Sequence, residues 1–467
     1  MKRRFVGIVW LCAAGAAAQN LPSRISDNLR AENLKADVAF LASDTLQGRA
    51  TPSPGLDAAA EYIASQFRKA GLEPVGDDGY FQTATYQLTT PNLEGFEVRV
   101  GATKIDPILQ QPAATDLTDA DVVHAALGEV DKLTVEQVRG KVLILTAEAG
   151  FRGMRQLPNP EKLEPALVIV ALPNLPRGMG GRPAMREAPA TPPKFATLLI
   201  GADAVKDAAR VSAHIRAPKV EIVKCRNVAG LIRGGDPILK DTYLVVTGHY
   251  DHLGVRGTGE GDHIFNGAND DASGTSSVIE IGTALAALGE KPKRSILFLA
   301  VFGEESGGYG ARYYTGHPIF PLAKTIADVN LEQLGRTDDT EGPRVGAFNL
   351  TGFDYTDIAS TMAKAEAETG IHVVKHETNS DAFFSRSDNA TFADAGVPST
   401  TISVAYVYPD YHAAGDEWPK LDYDNMAKVD VCIGLGLWNM ANADRAPEWN
   451  RENPKASRYA QKRDEPK

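Results

Sequence analysis

The sequence predicts an α/β protein in which a largely parallel sheet, covered by helices, is interrupted by a β-rich insert. Three observations carry this. Residues 243–247 and 295–302 are continuous apolar runs, the mark of strands buried on both faces. Between them Val278, Ile279, Leu285 and Leu288 recur at helical spacing, giving a strand–helix–strand unit. Before them, from about residue 92, short strand-like runs alternate with turns.

Along the 467 residues the elements fall in order. Residues 1–18 read as a secretory signal peptide: Lys2, Arg3 and Arg4 start it, 5–12 form the apolar stretch, and Ala16-Ala17-Ala18 the small-residue cleavage site. Residues 26–72 read as helical. Leu29, Leu34, Val38 and Leu41 share one face, Ala59, Ile63 and Phe67 another, and Gly71 ends the second helix. Residues 92–222 read as the insert, with strands at 96–100, 141–145 and 219–223 and a Pro/Gly/Arg-rich surface loop at 173–193. The main domain thus comprises 19–91 and 223–445. Residues 446–467 are charged and poor in apolar side chains, which predicts a frayed tail.

Composition narrows the function classes. The formal charge is −11, and loss of the leader removes three cations and no acid, leaving −14. An acidic chain without a basic run argues against nucleic acid or an anionic membrane as partner. No stretch after the leader is apolar enough for a membrane span. The mature chain keeps only Cys225 and Cys432, whose pairing the sequence does not decide, so a metal here must be held by histidine and carboxylate.

The chemistry-bearing residues lie in loops that come after strands, where open α/β sheets gather their ligands. His249 and Asp251 leave the strand at 244–246, with Asp251 suited to accept the second ring N–H of a metal-bound His249. His252 and His263 read as structural or solvated. Asp270 and Asp271 stand in a loop of small residues, where Asp271 or Ser273 also suits a helix cap. Glu304 and Glu305 come after the strand at 296–302, and two carboxylates at a buried strand end are costly without cations or donors. Glu332 ends a further strand, with Asp328 as a competing acid, and His412 supplies another imidazole. Two histidines and three or four carboxylates suit zinc or a similar divalent ion. Two ions sharing one bridging carboxylate would account for the density of negative charge.

These motifs resemble those of the two-zinc aminopeptidase family (clan MH metallopeptidases), which also holds glutamate carboxypeptidases, glutaminyl cyclases and the transferrin receptor. The resemblance rests on residues 248–254, 267–274, Glu304-Glu305, Asn330-Leu331-Glu332 and Tyr411-His412. It extends to Ser387-Asp388-Asn389, 396–398, and the N-terminal Leu41–Asp44, Gly48-Arg49 and 71–74. It implies a three-layer α/β/α fold with a mixed, largely parallel sheet. The insert resembles a protease-associated domain through its position and residues 140–143.

By that resemblance the chain holds two Zn2+ ions, with Asp270 bridging, Glu305 and His412 completing one site, and His249 and Glu332 the other. Glu304 is then the general base and Asp251 orients His249. Asp270–Asp271 is a candidate for a cis peptide. Glu332 departs from the family, most members of which have Asp there; this bears on substrate preference near the second ion. The expectation is an exported (secreted or periplasmic) aminopeptidase acting on peptides. A carboxypeptidase or dipeptidase of the same family, a glutaminyl cyclase and a receptor-like binding protein are the alternatives. The intact His249 counts against the cyclase, and the full ligand set against the receptor.

Overall fold

The computed structural model describes residues 20–148, 160–175 and 183–465; residues 1–18, read above as a signal peptide, and part of the loop expected at 173–193 lie outside them. The described chain forms two compact units. One comprises the residues up to Thr83 together with those from Cys225 onward, and the other is Ala84–Lys224. No helix of the described residues is long and apolar enough to cross a membrane.

The larger unit is built on strands β1 (Lys219–Ile232, which enters this unit at Cys225), β2 (Tyr243–His249), β3 (Ser295–Val301), β4 (Thr325–Leu331), β5 (Ala347–Leu350), β6 (His372–Val374) and β7 (Ser399–Ser403). Their spatial order is β6-β5-β7-β4-β2-β3-β1. At its centre β2 runs parallel to β3 and to β4, and β4 runs parallel to β7. β1 is antiparallel to β3, and β5 is antiparallel to β7, so the sheet is mixed but parallel where it matters for the loops. Every residue of β2, β3 and β4 is buried, which explains why they read as unbroken apolar runs rather than alternating ones.

Helices α1 (Ala31–Leu41), α2 (Pro54–Ala70), α3 (Gly274–Ala287), α4 (Tyr309–Gly316), α5 (Asn389–Asp394), α6 (Tyr423–Asn442) and α7 (Ser457–Asp464) complete the unit. α3 and α6 pack on one face of the sheet, with α1 and α2 outside them. On the opposite face Leu297, Leu299 and Val301 meet Ala311 and Tyr314 of α4 and Phe392 of α5. The result is three layers. Each aliphatic side chain so buried contributes about 1.5–3 kcal/mol relative to exposure. α2 starts where Ser53 Oγ accepts the Leu56 N–H at 3.1 Å and Pro54 presets the first turn. It ends at Gly71, whose φ of 77° is left-handed.

The smaller unit carries an eight-stranded sheet of its own. Its central strands Val142–Thr146, Leu167–Leu172 and Ala196–Gly201 are parallel neighbours. Val142 and Ile144 face one core while Leu143 and Leu145 face another, the period of two expected of strands. The loop expected at 173–193 includes a described strand, Ala184–Glu187.

The C-terminal segment corrects the expectation of a frayed tail at 446–467. Trp449 stacks on Tyr459 of α7 at 5.1 Å, and Ala456, Tyr459 and Ala460 bury against Tyr355, Phe384 and Ala393. Arg463 donates to the Leu322 and Thr325 carbonyls. Few apolar residues suffice because they fall on one side of a short helix, which a charge count does not register. Cys225 and Cys432 are separate buried thiols.

Candidate metal centre

Three neighbouring parallel strands deliver their last residues to one place. β2 ends on His249, β3 leads into Glu304 and Glu305, and β4 leads into Glu332. The loop before α3 adds Asp270 and Asp271, and the loop after β7 adds His412. His249, Asp270 and Glu332 present donor atoms to one point, and His252, Asp270 and Glu305 to another. Asp270 is common to both. Its Oδ1 lies 3.2 Å from His249 Nε2, and its Oδ2 lies 3.1 Å from His412 Nε2. His412 Nε2 is also 3.3 Å from Glu305 Oε1. Asp328, the competing acid, stays within β4, where its Oδ1 accepts from Thr247 Oγ1 at 2.9 Å; Glu332 is the acid that reaches the cluster.

Local structure holds these groups in place. The Asp270–Asp271 peptide is cis. Gly267 has φ of 60°, and a Cβ there would fall 2.3 Å from the Asp270 carbonyl oxygen and 2.4 Å from the His252 ring. Asp271 caps the turn: its Oδ1 accepts the Gly274 N–H at 2.9 Å and the Gln333 N–H at 3.2 Å. His412 sits at φ of 55°, a left-handed conformation uncommon outside glycine that turns its ring into the site, where Tyr411 stacks on it at 4.0 Å.

His249 Nδ1 donates to the Asp251 main-chain carbonyl at 3.2 Å, and the Asp251 carboxylate lies just beyond at 3.5 Å. The carbonyl therefore shares the orienting role expected of the carboxylate. That carboxylate instead accepts the Glu304 N–H at 3.0 Å and the Thr51 hydroxyl at 3.2 Å.

Three residues near the centre were not given these roles by the sequence. His252, read as structural or solvated, is buried with Nδ1 2.8 Å from Glu305 Oε1. Asp416 accepts the N–H groups of Asn269 and Asp270, each at 3.0 Å, and the Tyr408 hydroxyl at 2.9 Å. Arg49, fully buried, donates to the carbonyls of Tyr250 at 2.8 Å, Asn266 at 2.7 Å and Gly267 at 3.1 Å, and to that of Leu41. Its only sequence signal is the resemblance of Gly48-Arg49 to the family's N-terminal segment, which gives it no role.

The electrostatics ask for positive charge. Burial pushes the Glu304 carboxyl well above the ordinary range, and Asp388 and Glu332 nearby push it further. Burial raises Glu332 to about 7 and Asp388 to about 7. Asp270 goes the other way: burial opposes ionisation, but the imidazoles of His249 and His412 hold it well below the usual range. In turn burial lowers His412, yet Asp270 and Glu305 outweigh that and lift it to about 10. The imidazoles thus act as the cations of an acid cluster. His249 Nε2 and Glu305 Oε1 are buried with only the close contacts given above, which lack hydrogen-bond geometry, and both Asp388 oxygens are buried without a hydrogen-bond partner among the described residues. Imidazole and carboxylate donors with unsatisfied atoms fit zinc, whose binding would displace the imidazole protons.

The fold and this donor set define a metallopeptidase. Residues 227–434 match the family model described as Peptidase family M28. A probable zinc metalloprotease of Pyricularia oryzae is 29% identical over 452 residues, covering 84% of this chain and 81% of that protein. Another from Leptosphaeria maculans is 29% identical over 205 residues, and the match spans only 44% of its length. Among solved structures, an aminopeptidase from Aneurinibacillus sp. strain AM-1 superposes with a TM-score of 0.62 at 19% identity, covering 89% of this chain and 95% of that one. BSAP, a zinc aminopeptidase from Bacillus subtilis, gives 0.52 at 18% identity, covering 88% and 94%. These two establish the shared fold. The match to peptidase family M28 thus covers residues 227–434, the stretch that carries His249, Asp270, Glu305, Glu332 and His412.

Proposed function

We propose that the protein is an exported aminopeptidase that holds two zinc ions and removes N-terminal residues from peptides. The observation that carries this reading is Asp270, which turns one oxygen toward His249 and the other toward His412. That arrangement suits a carboxylate shared between two cations. His249 and Glu332 would hold one ion, and Glu305 and His412 the other, with His252 beside the second. Bound there, two divalent ions would supply Lewis-acid polarisation of the scissile carbonyl and lower the pKa of water.

The chain's own residues supply the proton chemistry. Glu304 is positioned beside the cluster by its N–H bond to Asp251. Its raised pKa suits a carboxylate that takes a proton from the attacking water and returns it to the leaving amine. Glu332, where most family members have Asp, stands on the side where the free amine of the substrate is expected. Export rests on the N-terminal pattern of Lys2, Arg3, Arg4 and the apolar run after them.

Elemental analysis of the purified mature protein tests the metal count, alongside hydrolysis of aminoacyl-nitroanilides before and after chelation. About two zinc ions per chain, with activity lost on chelation and regained with zinc, is the expected result. Glu304→Gln is expected to keep both metals and lose nearly all turnover. Retained turnover in that variant removes Glu304 from its role.

A further inference from the structure

Two openings flank the centre. A cavity of about 760 Å3 extends from Glu304, lined among others by Arg312, Arg386, Asp388 and Arg458. A much smaller pocket adjoins Glu332, lined by Gln333, Phe383, Tyr406 and Tyr411. Arg386 lines both. On the aminopeptidase reading the substrate amine is directed toward Glu332, beside this pocket of about 20 Å3. The cavity beside Glu304 then receives the part of the substrate beyond the scissile bond.

Arg386 is prepared for an anion. Its guanidinium lies over the Phe383 ring, 4.1 Å from the centroid, which fixes its plane while leaving the N–H edges open. Among the described residues no carboxylate lies within ion-pair distance of it, nor of Arg312. Arg458, by contrast, is engaged with the Tyr459 hydroxyl and ring. The side chains of the centre are mostly acids, Asp251, Asp270, Asp271, Glu304, Glu305, Glu332 and Asp388, and offer a carboxylate no fork of N–H donors. A carboxylate entering from the leaving-group side therefore meets a planar, exposed guanidinium able to bind it with two parallel hydrogen bonds.

On the aminopeptidase reading above, we propose that Arg386 is a specificity-determining residue that recognises a carboxylate on the leaving-group side of the substrate. The enzyme accordingly favours peptides presenting such a group. It comes either from the free C-terminus of a dipeptide or from an acidic side chain just after the scissile bond.

The test uses the zinc-loaded full-length mature protein and, as first residue, the amino acid whose nitroanilide is cleaved fastest. KM is compared between an Xaa-Ala dipeptide and its C-terminal amide, and between Xaa-Glu-amide and Xaa-Gln-amide. Each ratio is read within one protein, so a general loss of activity does not affect it. In the wild type at least one carboxylate-bearing substrate is expected to have a KM lower by about tenfold or more. Arg386→Ala should bring that ratio close to one, and Arg386→Lys should leave it intermediate. An advantage confined to the first pair identifies the C-terminus as the source, and one confined to the second identifies the side chain. Nitroanilide turnover with ratios near one in both wild-type pairs, or a ratio unchanged in Arg386→Ala, overturns the proposal and leaves the peptidase reading standing. Absence of turnover for every substrate, including the carboxylate-free nitroanilide, overturns both.

Discussion

The Asp251 carboxylate accepts the main-chain N–H of Glu304 at 3.0 Å while lying 3.5 Å from His249 Nδ1. One side chain thus couples the orientation of a candidate metal ligand to the backbone of the candidate base. The Asp251 and His249 side chains are fully buried, so water does little to weaken these contacts. Asp251→Asn retains an acceptor but loses the charge that favours a Nδ1 proton on His249. Zinc affinity at that site is expected to fall about 10–100-fold. Turnover at saturating zinc should fall as well, because Glu304 loses its charged anchor. Competition with a chromogenic chelator measures the first, and steady-state kinetics the second. Unchanged zinc affinity would show that the Asp251 carbonyl alone orients the imidazole.

Arg49 joins segments distant in the sequence by donating to carbonyls at Leu41, Tyr250, Asn266 and Gly267. Burial lowers its pKa to about 10, yet Asp251, Asp271, Asp416 and Asp270 keep it charged at neutral pH. Arg49→Met leaves those carbonyls unsatisfied and removes a cation from an acidic surround. A stability loss of about 3 kcal/mol or more is expected, since each orphaned buried group costs about 1–3 kcal/mol. Lysine should not rescue it, because a single ammonium cannot span the fork. Thermal unfolding of the three proteins decides this. A melting temperature for Arg49→Met equal to wild type would mean that water replaces the guanidinium.

The bridging geometry of Asp270 makes a stoichiometric statement. His249→Ala and His412→Ala each remove a ligand from one side only, so each protein should retain about one zinc per chain. Asp270→Asn weakens both positions and should fall below either. The count after dialysis against a weak chelator separates these cases. Loss of both ions from His412→Ala alone would show that the two positions do not fill independently.

Local interactions leave a trace in the sequence, and distant ones do not. The strands Tyr243–His249 and Ser295–Val301 stood out because burial on both faces demands an unbroken apolar run. Glu304 and Glu305 stood out because acids at a buried strand end call for compensation, and Asp270 because it stands with a second acid in a loop of small residues. His252 did not, since a histidine next to a buried aspartate has no local mark of facing Glu305. Asp416 and Arg49 satisfy main-chain groups far away in the sequence, and no spacing rule registers such partners. Where the smaller unit begins was hidden for a related reason: the strand Phe81–Thr90 runs on through Thr83 into Ala84–Lys224 without a change of composition.

Metal binding should stabilise the folded protein measurably. The acids around Asp270 repel one another at neutral pH, and a cation bound only by the native state adds stability by mass action. At free zinc a hundredfold above Kd this amounts to about 2.7 kcal/mol per site. Chelated protein is therefore expected to melt several degrees lower and to recover on zinc addition. Asp270→Asn should show little response to zinc. A melting temperature indifferent to zinc in the wild type would count against a built metal site.

Away from the centre, Asp37 on α1 accepts the Tyr62 hydroxyl at 2.7 Å and lies beside Glu280 of α3, which Asn33 holds at 3.0 Å. Burial raises Asp37 to about 7, the Tyr62 bond opposes this, and Glu280 adds to it. Burial raises Glu280 as well. For an acid the sign is clear: the folded state binds the proton more tightly than the unfolded chain, whose aspartate titrates near ~3.9. This contribution is fully present below that value and is lost as pH rises through about 7. Stability should therefore decline between roughly pH 4 and 7 by up to a few kcal/mol from this pair, against whatever other groups contribute. Asp37→Asn keeps an acceptor for Tyr62 and cannot ionise, so it should flatten that slope and melt above wild type at pH 8. Melting curves at pH 5, 6, 7 and 8 for both chelated proteins test it, and parallel pH profiles would show that Asp37 and Glu280 find a counter-cation in solution.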